Sequence, residues 1–186
     1  MDAILGRDDR LVAKLVDAAD KIDANFAAIV GTPVPAVIGT DYQALKRMCE
    51  KKTDLPILAI DTDGMELYDK GEEKAYLALF TAFAKEKYEV CKEKVGILGM
   101  TPQDVSDLKA ADKVREELKK EGKEAICYGM GDGLEAVERA SEVGKNIVVS
   151  AAALEAAKYL EKTFGTPYEI GYPAAGELVP NLDYQG

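Results

Sequence analysis

The sequence of 186 residues contains no histidine. The Ser-His-Asp and Cys-His arrangements of nucleophilic catalysis are therefore excluded, as are metal sites that use histidine ligands. The three cysteines, Cys49, Cys91 and Cys127, lie too far apart for a short-spaced zinc or redox motif. Their odd number is also unlike a disulfide framework. These absences remove many common catalytic and metal-binding sites.

Basic residues are outnumbered: 24 Lys and Arg stand against 34 Asp and Glu, for a formal net charge of −10. No basic block is present, whereas a nucleic-acid-binding surface needs a cationic footprint. We therefore expect no nucleic-acid partner. An acidic surface of this kind keeps a protein in solution or attracts a cationic or protein partner.

Long hydrophobic runs are absent too. No apolar segment approaches the ~20 residues required to span a bilayer, and residues 1–7 lack the basic and apolar blocks of a signal peptide. We expect no membrane association and a cytoplasmic location. The last residues, 182–186, show no recognisable pattern.

The pattern that is present alternates between helical and strand periodicity. Helical spacing predicts helices over 10–24, 41–51, 71–87, 101–121, 134–143 and 151–164. Short apolar runs predict strands over 26–30, 55–60, 95–99, 125–128, 146–149 and 168–170. Strands alternating with helices indicate βαβ units, with parallel sheets covered by helices on both faces. The predicted fold class is α/β, with two Rossmann-like three-layer α/β/α halves, the first over 1–87 and the second over 88–186.

The sequences of two predicted helices indicate more than their position. In the helix over 10–24, the apolar stripe is expected to comprise Leu11, Leu15, Ala18, Ala19 and Ile22. The helix over 101–121 is expected to begin with Thr101 as N-cap, Pro102 in the first turn and Asp104 at the capping-box position, and to stop at Gly122.

Candidate chemistry is expected in the loops at the carboxyl ends of the strands, where open α/β sheets bind ligands. Four loops hold that position: 32–41, 61–64, 99–101 and 129–133. Asp61 and Asp63 have the oxygen atoms to bind Mg²⁺ or act as a base. The commoner role of Asp and Gly in such a segment is to form a turn, and we favour that interpretation of Asp61 and Asp63. The glycines at 129, 131 and 133 lack the spacing of a dinucleotide or P-loop motif, so a phosphate cradle there is weakly supported.

The cysteines have plain structural interpretations. Cys49 falls on a predicted helix and Cys127 in a predicted strand, where a small buried hydrophobe is the common role. Cys91 lies in a charged connector and is expected to react most readily with a thiol reagent.

Residues 29–41, Ile-Val-Gly-Thr-Pro-Val-Pro-Ala-Val-Ile-Gly-Thr-Asp, follow a strand–loop–helix pattern. This segment resembles the one by which nitrogenase component 1-type proteins hold an iron–sulfur cluster, roughly Thr-Cys-x-x-x-x-Ile-Gly-Asp-Asp. Other stretches resemble the same family in the same order: 6–12, 55–57, 61–71, 95–99, 131–133, 146–150 and 159–168. The chain therefore resembles the middle segment of a longer oxidoreductase subunit, or a short standalone relative.

Two family ligand positions differ in this chain. Pro33 stands where the family has its cluster cysteine, and Val149 stands where nitrogenase itself holds its catalytic cofactor through a cysteine. Neither side chain replaces a thiolate in iron–sulfur ligation.

The resemblance implies a nitrogenase component 1-like oxidoreductase subunit, supplied with electrons by a separate ATP-dependent iron–sulfur reductase and assembled as a homo- or hetero-oligomer. It places a substrate or cofactor between the two halves, near Thr32, Pro33, Gly99, Thr101 and Ser150. The isolated segment is expected to be inactive. The alternative is a binding or assembly protein that holds a tetrapyrrole or metallocluster precursor without redox catalysis. A generic two-domain small-molecule binder is a third interpretation.

Overall fold

The computed structural model describes residues 2–105, 107–174 and 176–179, with side chains from Asp8 onward. The chain divides into two compact units, Met1–Gly71 and Glu72–Gly186. The subdomain boundary expected near residue 87 stays a prediction. Among the described residues, none of the helices combines the length and hydrophobicity that a membrane crossing requires. The tail at 182–186 lies outside the described residues.

Helix α1 (Asp2–Ala19) opens the first unit. Val12 is fully buried, with Leu15 and Val16 packed beside it, whereas Leu11 is 42% exposed. The predicted stripe was therefore right at Leu15 but wrong at Leu11, because Val12, Leu15 and Val16 share a face at the i, i+3, i+4 spacing. The helix also ends before Ile22, which is exposed. The polar residues after Ala19 favour a turn.

Strands β1 (Ala27–Val30) and β2 (Ile57–Ile60) form a two-stranded parallel sheet, with Ala27 opposite Ile57 and Val30 opposite Ile60. Ile29 is buried, but Val30 on the other face of β1 is 57% exposed. The expectation that this strand is covered on both faces was wrong, because the buried cluster of this unit includes Ile29 and not Val30.

Two helices connect these strands. The five-residue α2 (Pro33–Val37) begins with proline, whose fixed φ suits a first helical turn; the sequence had suggested a loop here. Helix α3 (Tyr42–Glu50) confirms the prediction for 41–51, and its N-cap Asp41 accepts the Ala44 N–H at 2.8 Å. Tyr42, Leu45 and Cys49 bury one face of α3 against the sheet. Helix α4 (Tyr68–Phe83) spans the boundary between the units.

The second unit contains a four-stranded parallel sheet in the order β4-β3-β5-β6. Its strands are β3 (Cys91–Leu98), β4 (Glu124–Cys127), β5 (Val143–Val148) and β6 (Tyr168–Ile170). Its helices are α5 (Ala110–Lys120), α6 (Leu134–Glu138) and α7 (Leu154–Phe164). Short 3-10 turns lie at Ala140–Glu142 and Ala151–Ala153. The α/β fold with parallel sheets is confirmed.

Each face of this sheet is covered by its own core cluster. One cluster joins the sheet to α4, α6 and α7, with Phe80, Leu98, Val148 and Leu160 fully buried. The other joins the opposite face to α5 through Val95, Ile97, Val114 and Ile147. A short antiparallel hairpin, β7 (Tyr172–Ala174) and β8 (Glu177–Val179), adds Tyr172 and Leu178 to the second cluster. This hairpin was not predicted.

Helix α5 begins later than predicted. Thr101 does accept the Asp104 N–H, at 3.4 Å, and the Val105 N–H bonds to its carbonyl at 2.9 Å, but only one turn forms. A second turn follows at Asp107, whose carboxylate accepts the Lys109 N–H at 2.9 Å. Asp107 therefore competes with Thr101 as the local cap. The predicted stop at Gly122 is confirmed, with φ of 72°.

The helix predicted over 134–143 was also too long. Helix α6 ends at Glu138, and β5 begins at Val143 rather than 146.

Gly96 in β3 and Gly71 in α4 are expected to respond in opposite ways to replacement by alanine. A Cβ on Gly96 would lie 2.1 Å from Asn146 Oδ1 and 2.9 Å from Tyr128 Cε2. We expect Gly96→Ala to lower the free energy of unfolding by about 1–3 kcal/mol through overpacking. Gly71 in α4 meets only Thr62 Cγ2 at 3.5 Å, so Gly71→Ala should raise the free energy by about 0.5–1 kcal/mol. Urea unfolding measures the free energy of unfolding of both variants. Equal changes in the two variants would contradict these expectations.

Candidate functional site

The second unit has a defined switch point in its sheet. The chain passes from β3 outward to β4 and then returns across β3 to β5, so the crossovers diverge between β3 and β5. In open α/β sheets this point, at the carboxyl ends of the strands, is where ligands bind. Gly99 follows β3 there, and Ser150 follows β5.

Gly99 and Ser150 are brought into direct contact. A Cβ at position 99 would lie 2.7 Å from Ser150 Cβ and 3.1 Å from Ala153 Cβ, and Gly99 has a φ of 88°. Only glycine suits both the conformation and the space. Ser150 is buried, and its hydroxyl accepts the Ala152 N–H at 3.2 Å. Thr101 joins the same edge, because its N–H bonds to the Gly99 carbonyl at 3.1 Å.

Val149 is a packing residue at this edge. Its side chain is buried in the cluster beneath α5, and its N–H bonds to the Leu98 carbonyl at 2.9 Å. The hydrocarbon side chain offers no donor atom to a metal.

The first unit has a comparable edge at the ends of β1 and β2. The Gly31 N–H bonds to the Ile60 carbonyl at 2.9 Å, and the Thr62 hydroxyl donates to the Gly31 carbonyl at 2.8 Å. A Cβ on Gly31 would come within 2.0 Å of the Thr62 carbonyl oxygen. The close approach of the two loops therefore requires glycine.

Thr32 and Pro33 follow Gly31 at this edge and are both exposed. Thr32 is the N-cap residue of α2, but its side chain makes no capping hydrogen bond. The Pro33 ring packs beside Gly64, with Cγ 2.8 Å from the position of a Cβ there. The structure thus assembles Thr32 with Pro33 in one unit, and Gly99 with Thr101 and Ser150 in the other.

The acidic loop after β2 has the geometry of a turn. Asp63 Oδ1 accepts the Met65 N–H at 2.8 Å and the Glu66 N–H at 3.3 Å, and Gly64 has a φ of 71°. These contacts match the turn interpretation of Asp63. Within the described ranges, no three His, Cys, Asp or Glu side chains come together in an arrangement able to hold a metal ion.

The glycine-rich loop 129–133 is fastened by a carboxylate. Asp132 Oδ2 accepts the Cys127 N–H at 2.6 Å and a hydrogen bond from Arg115 Nη2 at 2.8 Å. A phosphate at this loop would meet the negative charge of Asp132. Gly131, with a φ of 114°, leaves room for the Arg115 guanidinium, 2.5 Å from the position of a Cβ. The loop therefore has a structural function.

Tyr76 on α4 is a residue of this edge that sequence reasoning missed. Its hydroxyl donates to the Tyr128 carbonyl at 2.9 Å, at the end of β4. Burial raises the pKa of Tyr76 well above its ordinary value. Gly129 permits the contact, because a Cβ there would lie 2.5 Å from the Tyr76 hydroxyl. Its place on an apolar helix stripe gives no sequence signal of this role.

The cysteines follow their predicted burial. Cys49 and Cys127 are fully buried, and Cys91 is partly exposed. Burial raises the pKa of the Cys127 thiol to about 11 and also raises that of Cys49. The Cys91 thiol donates to Glu93 Oε2 at 3.4 Å.

The fold and its loops define an α/β protein with parallel sheets and a switch-point edge. The chain belongs to the nitrogenase component 1 type oxidoreductase family, whose model matches residues 1–174. Two solved structures of nitrogenase Cp1 share the fold. The one at pH 6.5 is 21% identical, with a TM-score of 0.74 over 91% of this chain and 33% of that chain. The one at pH 5 is also 21% identical, with a TM-score of 0.72 over 89% of this chain and 34% of that one.

The chain therefore spans about a third of the length of these nitrogenase chains. A comparison with curated proteins gives no match. The residues at the two family ligand positions do not fit an iron–sulfur cluster, because neither the exposed ring of Pro33 nor the buried side chain of Val149 carries a donor atom.

Asp132 can be tested against Asp112, since both carboxylates contact Arg115. Asp132→Ala removes the acceptor of the Cys127 N–H, so we expect the free energy of unfolding to fall by about 1–3 kcal/mol. Asp112 is 74% exposed, and Asp112→Ala should change the free energy by less than about 0.5 kcal/mol. Equal losses in urea unfolding would contradict the proposed role of Asp132.

Thiol labelling tests the cysteine assignment. With a disulfide reagent at mildly alkaline pH, we expect one thiol, Cys91, to react quickly in the native protein, because the thiolate is the nucleophile and the other two are buried with raised pKa values. Cys91→Ser should abolish the fast phase and leave two thiols that react only on unfolding. Fast labelling of Cys127 in that variant would overturn the assignment.

Proposed function

We propose that this chain is a nitrogenase component 1-like oxidoreductase subunit, or a segment of one, that acts on its substrate with electrons from an ATP-dependent iron–sulfur reductase. Family membership over residues 1–174 is the observation that carries the proposal. The substrate remains unspecified. In this proposal the segment contributes the α/β framework, while thiolates outside it hold the redox centre, since Pro33 and Val149 occupy the two family ligand positions.

The candidate binding residues in this proposal are Thr32 and Pro33 in the first unit, and Gly99, Thr101 and Ser150 in the second. Gly99 and Ser150 support it because they meet at the switch point of the sheet. Thr32 supports it because its exposed side chain makes no capping hydrogen bond to α2. These residues supply hydroxyl groups and closely packed backbone, which suit orientation of a polar ligand rather than ligation of iron.

We further propose that the subunit assembles into an oligomer and that this oligomer docks the reductase. This chain spans only about a third of the nitrogenase chains, so the partner subunit and the reductase are proposed for the full-length subunit. The cytoplasmic location stays a prediction from sequence.

A second candidate is a binding or assembly protein that holds a tetrapyrrole or metallocluster precursor. Pro33 and Val149 favour it, because a protein without thiolates at these two positions would bind such a ligand non-covalently. A saturable shift in the absorbance of an added tetrapyrrole, such as protoporphyrin IX, would support this candidate. Because the substrate of the oxidoreductase proposal is unspecified, such a shift favours the second candidate only when the captured complex contains no iron.

The decisive comparison is between the isolated chain and the complex captured anaerobically, by an affinity tag, from the cells that make it. We expect iron and acid-labile sulfide in the complex, together with a copurifying subunit. A complex without iron would contradict the oxidoreductase proposal.

Iron reconstitution of the isolated chain tests the ligand positions. We expect no iron or sulfide above background in the wild type or in Pro33→Cys, because one thiolate is far short of the usual four cluster ligands. Pro35→Cys, with the same number of thiols in the same helix, controls for adventitious iron. A stoichiometric cluster in Pro33→Cys but not in Pro35→Cys would show that the remaining ligands are already present.

A further inference from the structure

Two polar side chains lie buried in the apolar face of the sheet in the second unit. Asn146 on β5 is 0% exposed and Tyr128, directly after β4, is 1% exposed. Both polar atoms of the Asn146 carboxamide, and the Tyr128 hydroxyl, have no hydrogen-bond partner among the described residues. The Asn146 carboxamide carries two N–H donors and an acceptor oxygen, and none of them is used within the described part of the chain.

The two side chains converge above Gly96 on the strand between them. Asn146 Oδ1 and Tyr128 Cε2 lie 2.1 Å and 2.9 Å from the same point, the position of a Cβ on Gly96. Gly96 is opposite Asn146 in β5 and opposite Ile126 in β4. The missing side chain of Gly96 therefore provides the space that the polar groups share.

Among the described residues, the side chains packed around this pair are mainly apolar. Strand β3 is flanked by β4 and β5, so its backbone groups bond laterally within the sheet. The Asn146 N–H already bonds to the Pro167 carbonyl at 2.8 Å. The neighbouring side chains, including Phe80, Leu98, Ala140 and Val148, are apolar. Buried polar groups in proteins are nearly always paired with protein atoms or with internal water.

A cleft of about 300 Å³ lies on the same side of the sheet. Lys94 and Ile126 line it, each two residues before Gly96 and Tyr128 on the same face of its strand. Arg139 and Glu142 make its lining polar, with Glu142 paired to Lys94 at 3.2 Å and to Arg139 at 3.0 Å. Solvent therefore reaches the strand position next to the buried pair.

We propose that the core of the second unit contains a binding site for an internal water molecule, bridging the Asn146 carboxamide and the Tyr128 hydroxyl beside Gly96. Such a site requires polar partners and room, and water that satisfies two to four buried polar atoms is costly to remove. The site is independent of the proposed redox function, since neither Asn146 nor Tyr128 is among the candidate binding residues named there.

A double-mutant cycle on the full chain tests the site. We expect Tyr128→Phe to raise the unfolding equilibrium constant by roughly fivefold, because the water loses a partner. In the Asn146→Leu background the same change should have less than a roughly twofold effect, because the water is no longer held. Tyr76→Phe is the matched control, since it removes a buried hydroxyl whose partner, the Tyr128 carbonyl, is known. A neutral or stabilising Tyr128→Phe would overturn the proposal, as expected for a hydroxyl that was buried without a partner.

High-resolution crystallography gives the second measurement if Asn146→Leu fails to fold. Density for an ordered water within hydrogen-bond distance of both side chains is the expected result. Direct hydrogen bonds between the two side chains, with no water beside Gly96, would overturn the site.

Discussion

The second unit depends on burial of both faces of strand β3. Val95 and Ile97 lie in the cluster beneath α5, while Leu98 lies in the cluster with α4 and α7. Each buried aliphatic side chain of this size contributes about 1.5–3 kcal/mol, so three together are comparable with the net stability of a domain. The strand bonds laterally to β4 and β5, which satisfies its backbone polar groups without solvent.

This burial fixes the loops where chemistry is proposed. Because β3 and β5 are held by apolar packing, Gly99 and Ser150 meet at their carboxyl ends. In the first unit, a hydrogen bond from the Thr62 hydroxyl to the Gly31 carbonyl joins the two neighbouring loops. Pro33 and Val149 fit this pattern, since both are residues that pack rather than ligate. The chain belongs to the family and retains its α/β framework.

Local chemistry made much of the fold predictable. Strand and helix order, the Asp41 cap and the Gly122 stop all follow from residues close in sequence. The incorrect predictions arise where two local structures compete, or where the deciding contact joins residues distant in sequence. Asp107 displaced the predicted start of α5, and Val12 rather than Leu11 faces the core. The general rule for parallel sheets placed Gly99 in a loop at the carboxyl edge, whereas Ser150 was named only through the family resemblance. Nothing local could reveal that Asp132 reaches Arg115 across 17 residues. The water site was equally hidden, because it needs three strands to assemble.

Apolar burial around β3 holds this framework together. Native-state hydrogen exchange of chelator-treated protein tests it most directly. The account predicts that the amides of Val95–Leu98 and of Ile147 and Val148 are the slowest to exchange, at rates set by global unfolding and unchanged by added iron. Protection of these amides that appears only after iron is added would contradict the account.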